Sequence, residues 1–266
     1  MEGQAVKVCL PYRSEFGWVV MAHAPQVHAV AGPKIVMCEP GREALYPGAV
    51  LYHEVPERTD DERRQRAEVS FLQEAMAEAR ECYGCGVQVI APDLNVPREY
   101  FIPQPLTRYG ITCDVAVCPR GRAYGSDKNW GHWPALIDAL QSYDLDVFAC
   151  GGRGTTQDVR CDNAPAYPRP LDATLEAMLS AKVVVSTDCG LAHLAVACGK
   201  PLVMISHGAG LVAEGHDDVG QQYWPIHLDR FERENHTGSA INVVHDAWHS
   251  ANPVEIATLE ALKQCE

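Results

Sequence analysis

Short apolar runs alternate along the chain with longer amphipathic stretches. Ala5 to Leu10 predicts a first strand, and Phe16 to Ala31 an apolar helix. Lys34 to Cys38 predicts a second strand closed by Pro40-Gly41, and Ala49 to Tyr52 a third. From Glu57 to Cys82 runs the longest helical pattern, with Ala67, Phe71, Ala75 and Ala79 on one face and a charged run, Asp60 to Arg64, at its start. Val87 to Ala91 predicts a fourth strand, after which Pro92, Pro97, Pro103 and Pro105 fall in a stretch without period that reads as a linker. Pattern restarts with a strand from Asp114 to Cys118, a polar loop, a helix near Trp133 to Tyr143 and a strand from Asp146 to Cys150. A Trp/His-rich tail ends in a last helix, Pro253 to Gln264. This alternation predicts an α/β protein built as two domains, residues 1–110 and 111–266.

The most informative stretch is Leu171 to Gly208. It reads as an amphipathic helix ending near Lys182, a β-branched run Val183-Val184-Val185, a turn from Ser186 to Gly190, a short apolar helix and a second strand from Pro201 to Ser206. Neither strand shows polar alternation, as expected of parallel strands covered on both faces. The turn between strand and helix is where a helix N-terminus would offer N–H groups and a positive dipole to an anion. Thr187 and Asp188 therefore have two readings, as N-cap of the short helix or as part of an anion site, and Gly190 either joins that site or only permits close packing. His193 lies one turn into the apolar helix, on the side of the same crevice.

Net charge and cysteine usage narrow the function classes. The 266 residues carry a formal charge of −13. Residues 1–112 hold 11 Lys/Arg against 15 Asp/Glu, and residues 113–266 hold 11 against 20, so an acidic surface argues against indiscriminate coating of DNA and the first half is the better place for a polyanion. Arg42, Arg58, Arg63, Arg64 and Arg66 would be its phosphate contacts, although interleaved acids also fit a solvated helix face. Eleven cysteines scattered through strands and helices read as buried thiols in a reducing, cytoplasmic compartment. Cys82-x-x-Cys85 has no second ligand pair near it in sequence, so no metal is expected. No apolar run approaches the roughly 18 residues of a transmembrane helix, and no leader pattern follows Met1.

The run Asp188-Cys-Gly-Leu-Ala-His-Leu-Ala-Val-Ala-Cys-Gly-Lys-Pro201 resembles the D-(S/T)-G-x-x-H-x-A-x-A-x-G-x-P signature of heptosyltransferase-type glycosyltransferases. Gly190, His193, Ala195, Ala197, Gly199 and Pro201 fall in register, whereas Cys189 replaces the usual hydroxyl residue; the similarity spans roughly residues 113–210. It implies a GT-B-like α/β fold, two Rossmann-like domains facing a cleft, and transfer of a sugar from a nucleotide-diphosphate donor of the UDP-hexose or ADP-heptose type. Such transfer is expected to be inverting and metal-independent, with no cofactor beyond the nucleotide sugar.

Ligands of open α/β sheets bind beyond the carboxyl ends of the strands, here the loops after Leu10, Cys118, Cys150, Val185 and Ile205. After Cys118, Arg120, Arg122 and Lys128 are cations suited to a diphosphate, and the resemblance matches Lys128 to a family lysine that touches donor phosphates. Gly152, in Gly151-Gly152-Arg153-Gly154, belongs to a phosphate loop or to a plain strand-ending turn. Thr187, Asp188, Cys189, Gly190, His193 and His207 complete the donor side. Glu15 is the expected general base toward the acceptor hydroxyl, with Arg13 beside it, and a first-turn helix acid is the other reading of Glu15. Expected acceptors are a lipopolysaccharide-type glycan or a hydroxymethylated base in DNA. The rival functions are a nucleotide-sugar 2-epimerase and a non-catalytic nucleotide-binding module.

Overall fold

The computed structural model describes residues 6–12, 16–57, 68–93, 99–122, 129–151, 157, 159, 170–205, 231, 235–244 and 247–265. The chain divides into two compact units, Met1–Leu106 and Thr107–Glu266.

Unit 1 holds a parallel sheet of β1 (Lys7–Cys9), β2 (Lys34–Cys38), β3 (Leu51–Glu54) and β4 (Gln88–Ile90) in the order β3-β2-β1-β4. The two central strands need cover on both faces, and β2 is buried at every position, whereas β3 and β4 at the edges stay partly exposed. The long helix α3 (Glu68–Tyr83) supplies one cover: Phe71, Ala75 and Ala79 recur at helical spacing and pack on Val8, Leu10, Ile35 and Met37. The sequence predicts its start at Glu57, but Glu57 is an exposed residue outside any helix; residues 58–67, with the face residue Ala67, lie outside what is described.

The predicted helix after Phe16 is not uniform. α1 (Phe16–Trp18) passes through a π-helical turn, Val19–His23, into α2 (Ala24–Ala29). The wider turn leaves His23 inside the unit rather than on a helix face. α2 ends against Lys34, whose buried ammonium donates to the carbonyls of Val27, His28 and Val30 at 2.9, 3.1 and 2.9 Å. Three carbonyls at the helix end share this one donor, Val27 also accepting from the Val30 N–H at 3.2 Å, which explains why a lysine opens a buried strand.

Unit 2 is a five-stranded parallel sheet in the order β6-β5-β7-β8-β9: β5 (Val115–Cys118), β6 (Val147–Ala149), β7 (Val183–Thr187), β8 (Leu202–Ile205) and β9 (Ile241–Val244). The last strand lies in the tail, where the sequence predicted none. Helices α4 (Trp133–Gln141), α5 (Leu171–Ser180), α6 (Gly190–Ala197) and α7 (Asn252–Lys263) cover the sheet. The core joins β5 and β7 valines to Trp130, Trp133, Leu136, Leu140 and Val254, with Trp248 packed against it. Trp130 and Trp133 meet edge to face at 5.0 Å, and the Trp130 indole donates to the Ala247 carbonyl at 2.8 Å.

The signature Gly199 has a structural reason. It takes φ +71° just past α6, where its N–H bonds the Val196 carbonyl and the Lys200 N–H bonds that of Ala195, closing the helix in a Schellman motif. A Cβ there would also stand 3.1 Å from Thr237 Cγ2. Lys200 in turn caps α5 through the carbonyls of Leu179 and Ala181, at 2.6 and 3.0 Å.

Candidate functional site

The sheet order of unit 2 selects one crevice. The chain leaves β5 for β6 on one side and returns to β7 on the other, so the order reverses between β5 and β7 and the loops after them diverge there. Cys118 pairs with Ser186 in register, and both loops leave the sheet at about the same height.

β7 runs two residues past its apolar core. Ser186 and Thr187 pair with Met204 and Ile205 of β8, so they are strand residues and not the turn expected from their polarity. Buried polar groups need partners, and Ser186 finds them: its Oγ donates to the Thr187 carbonyl at 2.8 Å and lies 3.4 Å from Cys189 Sγ. Thr187 Oγ1 does not. Thr187 is 1% exposed and its hydroxyl has no hydrogen-bond partner among the described residues. A buried hydroxyl left without a partner costs about 1–3 kcal/mol, which a hydrogen bond to a ligand oxygen would offset.

Beside it begins α6, with Cys189 as N-cap in extended backbone and no capping bond from the Cys189 side chain. Thr187, whose Oγ1 bonds nothing described, is therefore not the cap. Asp188 is buried at the turn, and Cys189 and Gly190 are half-buried. His193 is buried in the second turn of α6 and stacks flat on Phe231, ring centroids 4.1 Å apart and planes 9° apart.

The opposite wall is the loop after β5. Arg120 is buried and sets Nη1 2.5 Å from Asn129 Oδ1. The Asn129 amide also accepts from the Arg122 N–H at 3.1 Å and donates to the Arg122 carbonyl at 2.7 Å, pinching the loop shut at its base. Gln157 adds bonds to the carbonyls of Arg120 and Trp130 at 2.8 and 2.7 Å. Burial and the neighbouring Cys150 thiol push the Cys118 thiol well up, which makes it a packing group rather than a nucleophile.

Arg13, Glu15, Lys128, Gly152 and His207 lie outside the described residues, as do Arg58, Arg63, Arg64 and Arg66. Arg42 is described and is not a surface phosphate contact: it pairs with buried Glu39 and its guanidinium sits 5.6 Å from the Phe16 ring centroid. Cys82 and Cys85 are exposed free thiols, and among the described residues no group of three or more His, Cys, Asp and Glu is placed to hold a metal ion. Sequence reasoning missed Asn129, Gln157 and Phe231. Asn129 alone carried a signal, as the polar neighbour of a buried tryptophan at the loop's end.

At the carboxyl end of β1 in unit 1, His23 bonds the Leu10 carbonyl through Nε2 and the Tyr46 hydroxyl through Nδ1, both at 3.0 Å. A carbonyl only accepts, so Nε2 carries the hydrogen and Nδ1 receives that of Tyr46. Burial pushes His23 down to about 4; the Leu10 bond opposes that shift and the Arg42 charge adds to it. Gln26 bridges the end of β4, donating to the Ala91 carbonyl and accepting from the Asp93 N–H, each at 3.0 Å.

Residues 112–206 match the family model of glycosyltransferase family 9 (heptosyltransferase). Escherichia coli ADP-heptose lipopolysaccharide heptosyltransferase II superposes with a TM-score of 0.54 at 15% identity, covering 97% of this chain and 99% of that one. This chain has the GT-B glycosyltransferase fold. A second GT-B structure, E. coli heptosyltransferase WaaC with ADP-2-deoxy-2-fluoro heptose, gives 0.55 at 15% identity over 96% of this chain and 99% of that one. Unit 2 is the heptosyltransferase-like unit, since the family match covers β5 to β8 and hence both walls of the crevice. No curated protein sequence matches the chain.

Proposed function

We propose that this chain is a glycosyltransferase that binds a nucleotide-diphosphate sugar at the β5/β7 crevice and transfers the sugar to a saccharide hydroxyl. The Thr187 hydroxyl carries the reading: it is buried, has no hydrogen-bond partner among the described residues, and stands two residues before the N-cap of α6, whose dipole favours an anion. Asp188, Cys189, Gly190 and His193 line the same turn. Arg120, Arg122 and Lys128 supply positive charge from the facing loop, Gly152 and His207 extend the donor side, and Glu15, assisted by Arg13, serves as base in an inverting step that needs no metal. An ADP-heptose-type donor and a lipopolysaccharide-type acceptor are favoured, because the solved relatives carry those names and their GT-B fold is shared. None of those relatives is named for DNA modification or for epimerisation, so neither reading is carried forward. Among the described residues no helix is long and apolar enough to cross a membrane, and we place the reaction in the cytoplasm.

Thermal melting with ADP, UDP, GDP and their sugars tests this. A diphosphate at about 100 times its Kd stabilises by roughly 2.7 kcal/mol. ADP and ADP-heptose should raise the melting temperature of the wild-type protein more than the others do. No shift with any nucleotide at millimolar concentration would overturn the reading.

A further inference from the structure

We infer that His23 and Gln26 are positioning residues for the acceptor, setting from one helical face the two lips of a crevice between β1 and β4 of unit 1 where a saccharide binds. The inference rests on the proposed transfer of a sugar to a saccharide hydroxyl. In the order β3-β2-β1-β4 the chain runs from β1 through β2 to β3 on one side and returns to β4 on the other, so the loops after β1 and β4 diverge. The sequence itself ends their pairing. The last rung is the Leu10 N–H on the Ile90 carbonyl at 2.8 Å, and in parallel register the next would bring an N–H from residue 92 to the Leu10 carbonyl. Residue 92 is proline, which has none.

Two side chains of the adjoining helix take over where the ladder stops. His23 closes the π-helical turn and Gln26 lies three residues on, in α2, hence on the same face. His23 Nε2 donates at 3.0 Å to the Leu10 carbonyl that Pro92 cannot serve, and so holds the β1 lip. Gln26 donates to the Ala91 carbonyl and accepts from the Asp93 N–H, each at 3.0 Å, and so holds the β4 lip on either side of Pro92. His23 and Gln26 are 1% and 6% exposed, whereas the lips reach the surface, Tyr12 half-buried and Ala91 and Asp93 exposed. Water is the alternative partner for such exposed residues, so burying a glutamine amide on their behalf gains little stability. What it gains is a lip of fixed shape. Tyr12 stands on one lip and Asp93 on the other, a phenol and a carboxylate, group types that hydrogen-bond sugar hydroxyls.

The test uses the full chain and, as acceptor probe, the delipidated core oligosaccharide of a heptose-deficient lipopolysaccharide. Hydrogen exchange of the wild-type protein, read by mass spectrometry, should slow in peptides covering residues 10–12 and 91–93 when the oligosaccharide is present at millimolar concentration. Absence of slowing there overturns the inference. Steady-state transfer from ADP-heptose to the same oligosaccharide separates positioning from folding. Gln26→Met keeps the stem and drops both bonds, and is expected to lower kcat/KM for the oligosaccharide by about ten-fold while KM for ADP-heptose stays within about two-fold of the wild type. Gln26→Glu, which keeps an acceptor for the Asp93 N–H and loses the donor to Ala91, replaces it if Gln26→Met does not melt cooperatively. A folded variant with wild-type kinetics toward the oligosaccharide overturns the inference, and so does an equal loss toward both substrates, which is what a merely structural role would give. Failure of the nucleotide-site reading would show separately, as no slowing by ADP in the turn of residues 187–190.

Discussion

Lowering the pH should loosen unit 1 through one histidine. His23 is 1% exposed, its Nε2–H is spent on the Leu10 carbonyl, and its Nδ1 accepts from Tyr46. Burial lowers its pKa from 6.5 to about 4, with Arg42 adding to that and the Leu10 bond opposing it. In the unfolded chain the same ring protonates near its ordinary value, so between those limits the unfolded state binds more protons and stability falls as the pH falls. The contribution is complete above about 6.5 and lost progressively toward 4. At 1.36 kcal/mol per unit the whole shift is worth about 3 kcal/mol, and about 2 kcal/mol of it is gone by pH ~5. Against a total stability of roughly 5–15 kcal/mol that is a measurable fraction. The assay compares urea unfolding of wild type and His23→Gln between pH ~7.5 and ~5, at the transition that the substitution displaces. The variant should be the weaker protein at neutral pH, and the gap should narrow by about 2 kcal/mol at the acidic end, since every other titrating group is common to both. A gap independent of pH, or an NMR titration placing His23 near 6.5, would refute the reasoning.

The other expectations concern single positions. Thr187→Val keeps the shape of the strand residue and removes the orphan hydroxyl, so the unliganded protein should melt at the same temperature or higher while ADP affinity falls by about ten-fold; a destabilised protein with unchanged binding would contradict the site. Lys34→Met removes the ammonium that serves the carbonyls of Val27, His28 and Val30 and should cost about 2–3 kcal/mol in urea unfolding. Gly199→Ala puts a Cβ at φ +71° and 3.1 Å from Thr237, and a loss of about 1–2 kcal/mol in thermal melting is expected.

Much of the fold was written in one dimension. Apolar runs without alternation marked Lys34–Cys38, Val115–Cys118 and Leu202–Ile205, since a parallel strand covered on both faces has no polar side to show. Phe71, Ala75 and Ala79 marked the covering face of α3 by spacing alone. β9 escaped because Ile241–Val244 is an edge strand with half-exposed positions and only four residues, too short for either period to stand out. Ser186 and Thr187 were misplaced in a turn because local polarity says nothing of the partners, Cys118 on one side and β8 on the other, that hold them in the ladder.

For the site, the chain itself determined the strand–turn–helix unit around Asp188, the in-register Gly190, His193, Gly199 and Pro201, and the basic loop after Cys118. Local sequence suffices there because strand, turn and helix are neighbours within a few residues. Only the tertiary structure decided that β7 crosses back beside β5 to make that turn one wall of a crevice, that Thr187 has no hydroxyl partner among the described residues while Ser186 has, and that Asn129 bonds Arg120 and Arg122 across the facing loop. It likewise set Phe231 flat against His193 and turned His23 inward onto Leu10 and Tyr46. These features depend on distance, plane and burial between residues far apart in the chain, quantities that no periodicity encodes.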